Sequence, residues 1–121
     1  MLASEVIYQV LSPLFADRVA PHPIPEGFDK SETYITYQGI SNEHLEILDG
    51  WTGHGQVRVQ VNVYHHDNIQ CEKDAIRVLW AMDAQLLVSS SIAGQSDGGF
   101  DEDTQLYCQQ IDFYIWQSAC N

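Results

Sequence analysis

Positive charge is what this sequence most lacks. Five Lys and Arg stand against seventeen Asp and Glu, for a net charge of −12. Gripping nucleic acid by counterion release requires clustered cations, and there are none. The same balance permits DNA to pass nearby without binding, because an acidic wall does not hold phosphates. Cysteine is also scarce. Cys71, Cys108 and Cys120 form an odd set with no C-x-x-C spacing and no matching histidines, so a disulfide framework and a structural zinc site are both poor readings, and reduced thiols are expected. No apolar run approaches the ~18 residues of a membrane helix. The first residues, MLASEVIYQVL, place Glu5 where a secretion signal needs a basic start, so a cytoplasmically made, soluble protein is expected.

What is present is apolar surface: 45% of the 121 residues, with four Phe, six Tyr and three Trp. That excludes disorder and suits one domain spanning 1–121 with its own core. Residues 4–16, SEVIYQVLSPLFA, gather Val6, Ile7, Val10, Leu11 and Leu14 on one helical face, with Pro13 dividing the helix. Residues 20–33 read as a Pro-rich surface linker, and TYITYQGIS (33–41) as a strand, with NEHLEILDG following as a short strand to an Asp49-Gly50 turn. In GQVRVQVNVY, Val57, Val59, Val61 and Val63 alternate with polar residues. Burying the four contributes roughly 6–12 kcal/mol before entropy is subtracted, which fixes the register.

A second helix is expected from Asp67 to about Leu87, with Gln70 completing a capping box. It carries two apolar stripes. Ala75, Val78, Leu79, Met82 and Leu86 form one; Ile69, Ile76, Trp80 and Leu87 form the other. A helix packed only on a sheet uses one stripe, so the second needs the first helix or another molecule. Residues 94–104 read as an acidic, Gly-rich loop, and LYCQQIDFYIWQ closes the chain as a strand with Trp116 opposite its apolar face. The alternating strands and short connections predict an α+β fold, a small antiparallel sheet of three to four strands with two main helices on one face.

Candidate chemistry fails its templates. His65 and His66, adjacent at a strand end, are expected on opposite faces, and Asp67 is committed as a cap. An EF-hand register begun at Asp97 puts Gly99 third, Glu102 sixth and Cys108 twelfth, where a carboxylate, a glycine and a glutamate belong. Gly53-His54-Gly55 precedes a strand, not a helix, and SSSIAG is no nucleophile elbow. No catalytic, cofactor or metal residues are therefore assigned, and the residues alone read as a non-enzymatic domain.

In order, LFADRVAPHPIPEG, TYITYQGIS, LDGWTGHGQVRVQVNVY, DAIRVLWAMDAQL and LYCQQIDFYIW resemble the tail-completion (tail-to-head joining) proteins of long, non-contractile-tailed bacteriophages and prophages. The resemblance runs from about residue 5 to Trp116. It implies a cofactor-free virion protein, assembled in the host cytoplasm. Copies would form a ring, a hexamer by the resemblance, that completes the tail tube. That ring would contact tube protein and the head connector or neck proteins, with DNA passing through the lumen. A tail terminator that only stops tube polymerisation is the close alternative. A small metal-dependent enzyme using His65, His66 and the acidic loop is the reading from a different class, and an acidic DNA mimic ranks below both. The acidity, the stretch SSSIAGQSDGGFDEDT and the SACN tail depart from the family pattern. On this reading the interface residues are Trp51, His54, Ile69, Ile76, Trp80, Leu87 and Trp116. LDGWTGHG would be a projecting loop anchored by Trp51, whose alternative is folding back on its own sheet.

Overall fold

Val57, Val59, Val61 and Val63 are buried as a set, and the rest of the molecule is arranged around them. The computed structural model describes residues 1–23, 31–47 and 50–118. Within these the order is α1 (Ala3–Leu11), a 3-10 turn (Ser12–Leu14), β1 (Val19–Pro21), β2 (Tyr34–Ile47), β3 (Gly50–His65), α2 (Asn68–Ala84), β4 (Ser90–Asp101) and β5 (Leu106–Ser118). The strands make one sheet in the order β1-β2-β3-β5-β4. The α+β class is as expected, but the described residues hold five strands and one pair, β1 with β2, is parallel.

Both helices cover one face. Val6, Ile7 and Leu11 of α1 and Cys71, Ala75, Val78 and Met82 of α2 close over the four valines, Ile35, Ile111, Phe113 and Ile115. Pro13 splits the first helix as its missing N–H requires. The tighter 3-10 turn breaks the 3.6-residue period, so Leu14, expected on the buried face, is 41% exposed and Phe15 takes the core position.

Three expected loops are partly strand. Part of the 20–33 linker is β1, an edge strand where Pro21 costs no ladder bond; residues 24–30 lie outside the described residues. The stretch NEHLEI continues β2 without a break, and residues 50–55 of the expected loop belong to β3; residues 48–49 lie outside the described residues. Gly55 is there because a Cβ would stand 2.7 Å from the Glu43 carbonyl oxygen across the pair. The 94–104 stretch is mostly β4, paired with β5 through bulges at Ala93 and Gly98, leaving a short turn at 102–105. A Cβ on Gly98 would meet Cys108 Sγ at 2.9 Å. Glycine here marks bulges and close approach, not a loop.

Candidate functional site

The outer face of α2 is an apolar surface left uncovered on a regular element. At 100° per residue, Ile69, Ile76 and Trp80 align opposite the buried Cys71, Ala75, Val78 and Met82. They are 61%, 51% and 69% exposed. Helix α1 packs beside α2 without covering them, so the first of the two partners suggested by the double stripe is not the one used. Helix α2 ends at Ala84, earlier than expected. There the Gln85 side chain folds over the connector, accepting from the N–H groups of Leu87 and Val88 at 2.9 and 3.2 Å. Leu86 and Leu87 are thereby released from helical stripes and left exposed.

The start of α2 is capped by Asp67 Oδ1, which accepts from Ile69 N at 3.1 Å. The expected capping box does not form. The Asp67 N–H goes to His65 Nδ1 at 2.9 Å, and Gln70 Nε2 donates to Asp74 at 3.1 Å. His65 and His66 are not on opposite faces: β3 ends at His65, alternation ends with it, and the rings stack with centroids 4.4 Å apart. Proximity does not make them a metal pair, since His65 Nδ1 is already an acceptor. Among the described residues no three His, Cys, Asp or Glu gather as a metal site.

Asp74 is a buried carboxylate that accepts from Thr33 Oγ1, Gln70 Nε2 and Arg77 Nη1. Arg77 also donates to the Leu14 carbonyl at 3.0 Å and lies 4.7 Å from the Phe15 ring centroid. This network ties α2 to the start of β2 and to the 3-10 turn. Sequence reasoning missed it because an acid at a helical core position gives no pattern of its own.

The second exposed region is the far half of the β2–β3 hairpin, called the arm below. Strand β1 pairs only with residues 35–37 of β2, and β5 reaches only to His54 of β3. Beyond those limits residues 39–45 are all exposed. Trp51 neither projects freely nor packs on the main sheet. Its Nε1 donates to the His54 carbonyl at 2.9 Å, its ring meets His44 edge-on at 4.9 Å, and it stays 51% exposed. The His54 ring stacks 6.0 Å from Trp116, which is 39% exposed. The seven sequence-predicted residues thus fall into groups. Ile69, Ile76 and Trp80 share the α2 face, Leu87 sits past its end, and Trp51, His54 and Trp116 belong to the arm and the β5 end beside it. The sequence reading overlooked Ile40 and Leu45, which are 49% and 45% exposed. Both are the extra residues at β2 bulges, where alternation gives no direction.

The sheet face opposite the helices carries two cross-strand polar pairs. Arg58 pairs with Asp112 Oδ2 through Nε and Nη2 at 3.0 and 2.7 Å, and Gln38 Nε2 donates to Gln60 at 3.0 Å. The two described thiols are free and buried. Burial, with a contribution from Cys108, pushes Cys71 up to about 12, and burial pushes Cys108 up to about 11. Cys120 lies outside the described residues. No helix among the described residues is long and apolar enough to cross a membrane.

No family model matches the sequence, and no curated protein matches it. Among solved structures the chain is similar to one from the virion of a native gene transfer agent particle. The TM-score is 0.69 at 15% sequence identity, over 94% of this chain and 92% of that one. At that identity the likeness establishes a shared fold across essentially the whole of both chains.

Proposed function

We propose that the chain is a non-enzymatic structural protein of a phage-like virion. Copies form a ring at the head–tail interface that completes the tail tube and joins it to the head connector. The observation that carries this reading is the end-to-end fold likeness to a chain of a gene transfer agent virion. The order of segments resembling tail-completion proteins supports it independently. So does the exposed Ile69–Ile76–Trp80 stripe, since an apolar helix face opposite the core belongs to an assembly. The net charge of −12 suits a conduit that DNA traverses without sticking.

Removing the gene separates completion from termination alone. On the completion reading, the particle-producing lysate contains filled heads and tails of normal length that do not join, and added purified protein joins them. Overlength tails would instead assign the terminator role. Normal joined particles would contradict the proposal. In the same assay Trp80→Glu and Trp51→Ala are expected to keep their circular dichroism while sedimenting with tails less than the wild-type chain.

A further inference from the structure

Two uncovered apolar surfaces of different composition occur on one chain, and neither can cover the other within that chain. The stripe of Ile69, Ile76 and Trp80 points directly away from the buried face of α2, so the chain's own sheet cannot reach it. The arm extends past the strands that flank the hairpin, with Ile40, Leu45 and Trp51 exposed along it. We propose that the arm of one copy lies along the outer face of α2 in the next copy, joining subunits head to tail. This rests on the ring reading and assigns its two contacting surfaces.

Charge separates this pairing from the competing one at the free edge of β4. In the described part of the arm Glu43 is exposed, and no Lys or Arg occurs from residue 38 to residue 51. One flank of the α2 stripe carries Lys73 and Arg77, two of the five cations in the chain. Arg77 is partly committed to Asp74, but Lys73 has no hydrogen bond or ion pair among the described residues. The other flank carries the exposed Glu72 and Asp83, so an acidic arm is matched along the Lys73 and Arg77 side alone, and this sets the side of α2 on which the arm lies. The free edge of β4 is the competing partner for the arm. It carries Asp97 and Asp101 and two bulges, devices that blunt edge pairing, and its acids repel Glu43 of the arm. Because the two matched surfaces differ, the contact is heterologous. It leaves one arm and one helix face open on every dimer, and ends only by closing a ring.

The test uses two purified full-length variants. Leu45→Asp disables the arm and Trp80→Glu disables the helix face; both positions are exposed, and circular dichroism verifies folding. Sedimentation velocity is expected to show the wild-type chain assembling past the dimer, with each variant alone weakened at least about tenfold. Mixed in equal amounts, the variants retain one usable arm and one usable helix face between them, and are expected to stop at a one-to-one dimer. A second pair, Glu43→Lys and Lys73→Glu, is milder: each alone weakens assembly, and combining both in one chain restores it. Assembly of Leu45→Asp like the wild type would show that the arm is not a subunit contact and would overturn the proposal. So would a wild-type chain that stays monomeric at millimolar concentration. Since this experiment needs no particle, its failure leaves the virion location untouched, and a wrong location leaves this pairing intact.

Discussion

The two halves of β3 differ in what touches them. From Val57 to Val63 every second side chain is sealed under α1 and α2, whereas residues 50–54 carry no helix above them and Trp51 is half exposed. Yet both halves are the same strand, laddered to the same partner, β2. Pairing with β2 therefore does not separate stability from assembly in this molecule; the covering layer does, together with the flanking strand β5, which stops at His54. The same contrast runs around α2, whose Val78 side is fully buried and whose Trp80 side is 69% exposed. Changes on covered faces should lower stability, and changes on uncovered faces should lower association at constant stability.

The largest expected break is at Asp74. Asp74→Ala leaves Thr33, Gln70 and Arg77 without their shared acceptor and is expected to cost on the order of 3 kcal/mol in denaturant unfolding. An unchanged midpoint would show that the network does not pin α2. Val61→Ala, which removes two methyl groups from a closed core, is expected to cost about 2 kcal/mol by the same measurement. Gly55→Ala sharpens the boundary between body and arm, because the new methyl group would press on the Glu43 carbonyl. It is expected to cost about 1–3 kcal/mol, relieved only by a local shift of the hairpin. Trp80→Glu, on the uncovered side of α2, should move folding stability by less than about 0.5 kcal/mol while weakening assembly at least about tenfold. The smallest effect concerns the thiols. Cys71 and Cys108, with thiols held up at about 12 and about 11, stay protonated at neutral pH. Alkylation of either in the native chain should be slow and should reach the unfolded rate only on denaturation. Rapid native labelling of Cys71 would mean that the seam between α2 and β3 opens.

The covered half of the molecule was legible in the sequence and much of the uncovered half was not, for a common reason. Burial writes a period: four alternating valines announced β3, Pro13 announced the split helix, and the two stripes of α2 announced a face its own fold does not cover. Where side chains meet water, no period is enforced. Strand β4 passed for a loop because its glycines serve bulges and its exposed positions accept Ser and Asp. Residues 50–55 passed for a loop because Gly55 is required by a neighbouring carbonyl that only the paired hairpin brings near. Ile40 and Leu45 escaped notice because a bulge breaks the alternation that would have assigned them a face. Strand β1 is held by a parallel partner more than a dozen residues away, a contact no local pattern records. The stacking of His65 on His66 likewise follows from the strand ending where the cap of α2 begins.

That these copies stand together where a phage-like tail meets its head is tested most directly by imaging intact particles that carry a tagged version of the chain. The account expects the tag as a collar of density at the head–tail junction, on every joined particle, with the fold fitting that density. Purified, joined particles that lack the chain, or that carry it anywhere other than the junction, would contradict it.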